Sequence, residues 1–518
     1  MNAIQKFFLT FAFIILICFA VGHIFLSSLT FDETSYIASG YSYLKTGKIL
    51  LNLEHPTLSK LLAGFPDIFL NLKFDKNYSR SEDHIWFQNY FFLNNSDKFF
   101  SISVLSRLPV FFVNLLCGIV LFAFCRECGF KKKTSALLSL ILTGSPSFIG
   151  LSALVINDVL LTLFFWSSVL TFYKIMNGSN FYFWIMFVFS LSFCLLTKFS
   201  GLIVLPALAT LVLIEYKNLS IRLIIKLFLS MICVVFIINI FYFNLFAGFA
   251  DYWSGFKLTG KYWIPDYKYF LNGKFYDGGN YFYFIFSFLY KTSELVLILV
   301  ALSLVCFFRS IIKNQAFDEN RKGIKFFSIY GLIPALFYFV VLIAKAPNIG
   351  YRFVLPLLFI SIVFCGFFLN AIISYKWTFY IMIFLVVFRA SVVFPDYISF
   401  FNEFSGGSKN GINLLDDSNV DWGQDLNKIN HWMKANKIGK VNLLYFGTVS
   451  PALYGVNYDD FKNCFDESGN LKAGCYVISA HFIRRLPDFK YDNRKFGFSF
   501  ENSFDKISDS LYAFKLGY

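Results

Sequence analysis

Residues 7–29 read FFLTFAFIILICFAVGHIFLSSL, twenty-three positions without a single Asp, Glu, Lys or Arg. A helix crossing a bilayer needs ~20 consecutive apolar residues, so this stretch reads as a membrane span. Its apolar run is longer than the ~7–15 residues of a secretory signal, and no clear small-x-small cleavage site follows it. Ten further stretches have the same character, near 101–124, 134–152, 157–175, 181–197, 200–215, 222–246, 286–308, 324–344, 353–373 and 377–394. The pattern predicts a polytopic α-helical membrane protein with about eleven transmembrane helices.

Composition agrees. Of 518 residues, 57% are hydrophobic and 15% charged, and 72 are Phe, with a mean hydropathy of +0.60. Soluble domains carry about 25% charged residues, so an ordinary soluble enzyme and a disordered chain are both excluded. Against 32 Asp and Glu stand 46 Lys and Arg, a net charge of +14. That excess does not mark a nucleic-acid partner, because no segment joins a basic stripe to enough polar surface to follow a phosphate backbone. It lies wholly before residue 395, since 395–518 hold 14 basic and 15 acidic residues. Lys6, Arg126, Lys131–Lys133, Lys217, Arg222, Lys226, Arg309, Lys313, Arg321, Lys322 and Lys325 fall on one side if the spans alternate. The positive-inside rule makes that side and the N-terminus cytoplasmic. An odd number of spans then exports the tail, which reads as a small α/β domain over 395–518. It has strands at 441–446, 475–480 and 510–515 and a helix at 424–435, with Asp421 and Gln424 spaced as a capping box.

Chemistry concentrates on the outer side. Asp32-Glu33 follows the first span directly, and a carboxylate at the mouth of a lipid-facing cavity is suited to taking a proton from an acceptor; solvated acids at a boundary would look the same. Glu54-His55-Pro56-Thr57-Leu58-Ser59-Lys60 reads as an entry to an interfacial helix over 57–72 with Pro56 at N1. Lys60 would either snorkel to headgroups or meet a phosphate. Arg107, Lys198, Lys291, Lys345 and Arg352 also lie near outer span ends, and Asp158 opens a span there. Cations embedded in apolar surroundings usually have partners, and a lipid phosphate is suitable, since Arg can hold it with two hydrogen bonds. The loop 247–285 carries Trp253, Tyr262, Trp263, Tyr267, Tyr269, Tyr276 and Tyr281, as an interfacial belt or a surface for sugar or lipid. Asp416, Asp417, Asp421 and Asp425 read as helix-start chemistry or as a cation or acceptor site. Cys464 and Cys475 could pair in an exported tail.

In this order the pieces resemble the phospholipid-carrier-dependent glycosyltransferases of the GT-C class, which include the protein O-mannosyltransferases and the aminoarabinose transferase that modifies lipid A. The acidic pair followed by His-Pro-x-Leu-x-Lys (His55 to Lys60) carries the likeness, with Thr57 where a second Pro is usual. A bacterial subgroup is similar along nearly the whole chain, through YSYLKTGKILLNLEHPTLSKLL, SRLPVFF, TKFSG, YRFVLPL, YISFFNEFSGG, DDSNVDWGQDL, LLYFGTVSPALYGV and SLYAFKL.

The resemblance implies an inverting transfer from a polyprenyl-phosphate sugar to an acceptor outside a bacterial inner membrane. It implies a transmembrane domain 1–394, with a catalytic first outer loop at 30–100, and the exported domain 395–518. It gives Asp32 as general base, Glu33 as its orienting neighbour, Lys60 and Arg352 toward the carrier phosphate and Asp158 as the acid heading its span; Lys198, Lys291 and Arg107 are read, from their place near outer span ends, as further phosphate cations. His55, Glu54 and Asp158 would line the cavity. No metal is obligatory in the mannosyltransferase branch, although a divalent ion remains compatible. Membrane lipids and the carrier are the implied partners; the acceptor, whether lipid, glycan or protein, stays open, as does the sugar. Two other functions fit the composition: a sugar-polymer ligase or polymerase using a diphosphate-linked lipid, and a transporter or flippase. The last would place ionisable residues near the midplane in repeated halves, and the sequence shows neither clearly.

Overall fold

The computed structural model describes residues 1–518 except 50, 75–83, 179, 217–219, 263–267, 314–320, 376, 467–470, 486–489, 492–493, 496–503 and 518. Lys217, Trp263 and Tyr267 therefore lie outside the described residues.

The body is helical. Among the described residues, six helices are long and apolar enough to cross a membrane: Ala3–Leu26 (α1), Ser96–Glu127, Asp158–Met176, Ile221–Phe241, Lys322–Lys345 and Tyr351–Ile372. Two bent pairs pass the same test, Lys132–Thr143 with Pro146–Ser152 and Tyr283–Lys291 with Glu294–Arg309, and three shorter apolar helices span Phe181–Thr197, Phe199–Ile214 and Thr378–Val393. Each apolar stretch read from the sequence coincides with one of these. The stretch at 286–308 is not straight, however: its halves meet at 112° around Thr292 and Ser293. The outward faces of these helices expose Phe7, Ile221, Phe228, Leu336 and Phe384. That suits hydrocarbon, where no water competes for apolar surface.

Two helices of the first loop position the site. Phe31–Thr46 (α2) starts at Thr30, whose backbone N–H and hydroxyl both donate to Glu33 Oε2. Leu58–Asp67 (α3) begins two residues beyond Pro56, and Thr57 makes no side-chain cap bond. The two helices cross where Gly40 meets Gly64. A Cβ on Gly40 would sit 1.8 Å from the Lys60 carbonyl oxygen, so only glycine permits this approach. α3 is not a superficial helix: Lys60 is fully buried.

The tail holds a five-stranded sheet in the order Tyr458–Asp460, Val441–Leu444, Gly474–Ser479, Leu511–Leu516, Asp505–Lys506. Its first three strands are parallel and the last two run antiparallel to their neighbours. Pairing of Asn442 with Tyr476 and of Val477 with Ala513 sets the register. Helix Leu426–Ala435 buries Leu426, Ile429 and Met433, the face expected from its period. Cys464 and Cys475 are buried and free, so they form no disulfide here. Cys125 and Cys128 are likewise buried thiols.

Residues 247–285 are more than a belt. They contain helix Gly248–Tyr262 and a hairpin of Tyr269–Leu271 with Lys274–Tyr276. Trp253 and Tyr281 are exposed, whereas Tyr252 and Tyr269 are buried.

Candidate active site

A cavity of about 240 Å³ opens where α2, the 52–55 turn, the head of helix Asp158–Met176, Lys198 and the Pro347–Phe353 segment converge. Its walls include Asp32, Glu54, His55, Asp158, Lys198 and Arg352. Six of the residues singled out from the sequence, spread over 320 positions, thus share one space.

Asp32 accepts a hydrogen bond from Arg352 Nη1 at 2.6 Å, with the carboxylate 25% and the guanidinium 10% exposed. Arg352 stacks on the Trp422 ring at 4.2 Å and lies 5.2 Å from that of Phe353. Its buried Nε has no protein partner. Opposite, Lys198 Nζ is 2.7 Å from Asp158 Oδ1 and 4.0 Å from the centre of the Phe353 ring. Two cations and three carboxylates, Asp32, Asp158 and Glu54, therefore face one cavity, and a flat guanidinium held between rings is oriented before any ligand arrives.

His55 is kept neutral: burial first, then Lys198, Lys60 and Arg352, push its pKa well below the ordinary value. Its Nδ1 is buried without a protein partner, so the ring offers a hydrogen bond rather than a charge.

Lys60 does not line the cavity. It donates to the carbonyls of Asn52 and, at 2.7 Å, His55, so it fixes the turn that brings Asn52, Glu54 and His55 to the wall. Burial brings its pKa down to about 7, against the pull of Glu54. Ser59 of the same motif bonds Asn157, which reaches Tyr36 at 3.1 Å. The His-Pro-x-Leu-x-Lys string acts here by shaping the wall.

Arg107 and Lys291 are placed differently from the expectation that they face a phosphate. Arg107 is fully buried and forms a fork on Glu33, 2.7 Å from Nε to Oε1 and 2.6 Å from Nη2 to Oε2. Its remaining donors go to the carbonyls of Ile24, Ser27 and Ser28. Burial alone would raise the Glu33 pKa, but Arg107 and the N–H groups of Thr30 and Val155 hold it below the usual carboxylate value. Glu33 is thus an architectural acid that ties α2 to two spans. Lys291 donates to the carbonyls of Ile398, at 2.7 Å, and Asn419 and rests over Phe401. It fastens the tail to the helical body.

The string 416–425 is not helix-start chemistry. The following helix begins only at Leu426, and Asp425 makes no cap bond. Gln424 Oε1 accepts from Trp422 N at 2.7 Å, and Asp421 Oδ1 from Gly423 N at 3.1 Å, which closes the segment as a turn. The four acids do not converge either. Asp416 pairs with Arg485, Asp417 accepts from Ser418 N, and Asp425 meets Lys428 at 3.0 Å and Ser510 at 2.8 Å. The segment docks on the body: Phe31 N donates to Trp422 O, Ser28 N to Gln424 O and Tyr351 N to Asn419 Oδ1. At Gly350 a Cβ would meet Ser418 Oγ at 2.3 Å, so any larger residue would have to displace that side chain. Trp422 against Arg352, Asn419 against Tyr351 and Thr448 in the cavity wall are site neighbours that no sequence motif singled out. The one available signal was a Trp followed by Gly423 within a run of acids.

Residues 8–254 match the family model described as dolichyl-phosphate-mannose-protein mannosyltransferase. The first half of this chain is similar to that family. The match spans just under half of the chain and includes the Asp32-Glu33 pair, the His55–Lys60 motif, Asp158 and Lys198. The resemblance to GT-C glycosyltransferases with lipid-linked donors accordingly stands, with the multi-pass helical body it implies.

Among solved structures, the chain is similar to the S. cerevisiae protein O-mannosyltransferase Pmt1-Pmt2 complex bound to the sugar donor, at 17% identity over 50% of this chain, with a TM-score of 0.30. It covers 34% of that yeast chain, about a third of its length. It is also similar to ArnT from Cupriavidus metallidurans in the apo state, at 12% identity and TM-score 0.47. For the same protein bound to undecaprenyl phosphate the figures are 11% and 0.42, and each comparison covers 98% of this chain and 97% of that one. No match was found among curated proteins.

Proposed function

We propose that this protein transfers a sugar from a polyprenyl-phosphate donor to an acceptor on the outer face of a bacterial inner membrane, with inversion at the anomeric carbon. The observation that carries this reading is the Asp32–Arg352 pair at the cavity wall, 2.6 Å apart and partly open, beside the second cation Lys198.

In this scheme the donor phosphate lies against Arg352 and Lys198. The unpartnered Nε of Arg352 offers it a hydrogen bond while Nη1 still orients Asp32. Asp32 takes the proton of the acceptor hydroxyl as its oxygen bonds to the anomeric carbon. The bond from that carbon to the phosphate oxygen breaks, and the phosphate leaves with the electron pair, its charge countered by the two cations. Attack from the face opposite the phosphate gives inversion. Asp158 holds Lys198 in place, and His55 and Glu54 complete the sugar-facing wall. The countercharge comes from the chain itself, so transfer is expected to survive chelation by EDTA. The cytoplasmic N-terminus and the exported tail belong to the same reading and are supported by the distribution of basic loops.

The test uses membranes carrying the full chain and polyprenyl-phosphate mannose labelled in the sugar. Asp32→Asn is expected to lower transfer at least ~100-fold, with donor binding retained. Wild-type transfer by that variant would remove Asp32 from its role.

A further inference from the structure

A second cavity, of about 490 Å³, lies outside the first, between the first loop and the tail. Asn89 and Leu93 form one side, and the segment after strand Val441–Leu444 and the end of strand Tyr458–Asp460 form the other. These two strands are parallel neighbours, and the cavity sits beyond their carboxyl ends, where open α/β sheets bind ligands.

The two cavities adjoin at one residue. Thr448 lines both. Its Oγ1 is 2.6 Å from Thr34 Oγ1 and donates to the Phe31 carbonyl at 2.8 Å, immediately before Asp32. Thr34 also donates to Gln88, which lines the inner cavity, while the next residue, Asn89, lines the outer one. Thr448 therefore ties the outer cavity to the backbone immediately before Asp32.

The lining indicates its class. Tyr445 and Tyr458 present rings, Asn89 an amide and Ser450 a hydroxyl. The charged groups among the lining residues, Asp460 and Lys462, lie 3.2 Å apart and cancel. Aromatic faces beside neutral donors and acceptors suit a polyhydroxylated ring, and an anionic headgroup would find no net positive charge there.

We propose that this outer cavity is the acceptor subsite and that the acceptor is an uncharged glycan, one hydroxyl of which reaches over Thr448 to Asp32. This rests on the reading of Asp32 as general base. The hydroxyl proton passes to Asp32, the new oxygen–carbon bond forms at the anomeric centre, and the donor phosphate leaves.

The test places photoreactive p-benzoylphenylalanine at Tyr458, at Ser450 and, as a distant control, at the exposed Tyr281 in the full-length protein. Cells are irradiated, and the adducts are identified by mass spectrometry. The expected result is periodate-sensitive, hexose-bearing adducts at Tyr458 and Ser450, at least tenfold above Tyr281. Peptide adducts, lipid adducts or no enrichment would overturn the assignment. The Ser450→Trp substitution, with folding checked by its elution profile, is expected to cut glycan capture at Tyr458 at least tenfold; unchanged capture would also overturn it. Capture needs no turnover, so it is read equally in Asp32→Asn. Glycan adducts together with wild-type transfer in that variant would sink the general base and leave the subsite standing.

Discussion

Asp32 and Glu33 are adjacent in the chain and each is held by an arginine, yet the two pairs do opposite work. Glu33 and Arg107 are both fully buried, and every oxygen of the acid is engaged. Asp32 and Arg352 keep 25% and 10% exposure and share a cavity wall. Successive residues on a helix point about 100° apart, so the first turn of α2 aims one carboxylate into the protein and the other into the cavity. A sealed pair can only hold structure. An open pair, with an unpartnered guanidinium Nε, can exchange partners with a substrate.

The sharpest way to break this contrast is at Asp32. Asp32→Asn is expected to lose ~10²–10⁴ in transfer, while the apparent melting temperature in detergent barely moves, because a partly exposed pair contributes ~1 kcal/mol or less. Arg107→Met should do the reverse. It strands Glu33 as a buried, uncompensated charge, which costs ~3–5 kcal/mol, seen as a large fall in melting temperature. If Arg107→Met instead folds normally and only weakens donor binding, the sealed pair belongs to the site after all. Replacing both partners with apolar residues should recover much of the lost stability.

Much of this was legible in the sequence. The apolar stretches and the tail strands emerge at their expected places because hydrophobic periodicity is a local property. Asp32, Glu54, His55, Asp158, Lys198 and Arg352 meet because charges near outer span ends have few other places to go in an apolar body. What could not be read was which cation each acid takes. Arg107 and Arg352 look alike along the chain; only packing shows that α2 and the 107 helix enclose one of them. The spacing of Asp421 and Gln424 misled for a related reason. Both side chains bond within their own turn, a geometry that imitates a capping box in sequence but stops the helix from starting until Leu426. Trp422 meets Arg352 from 70 positions away and Thr448 meets Phe31 from 417 positions away, and apart from the Trp-Gly step no local pattern reports that.

Between the two extremes stands Lys198. It is buried, like Arg107, but lines the cavity, like Arg352. Lys198→Met is expected to raise the KM for polyprenyl-phosphate mannose about tenfold, the ~1.4 kcal/mol worth of one charged contact, with a smaller effect on melting. A variant that loses stability as severely as Arg107→Met would move Lys198 to the architectural side of the comparison.

The last expected effect, a change of slope with pH and not a loss of activity, concerns the tail turn that carries Trp422 against Arg352. Burial pushes the Asp421 carboxyl up to about 7, despite hydrogen bonds from Gly423 and His481 N–H groups. An unfolded Asp titrates near ~3.9. Between these values the folded protein keeps a proton that the unfolded chain has released, so stability falls as pH rises from about 4 to 7, by up to ~1.4 kcal/mol per unit, and then levels off. Asp416, raised in the same way by burial against the pull of Arg485, adds to the slope. Asp421→Asn removes one such titration, and its melting temperature should depend less steeply on pH between 5 and 7. A slope unchanged from wild type would mean that Asp421 is ionised in the folded turn, and that the contact between Trp422 and Arg352 sits over a buried negative charge rather than a neutral acid.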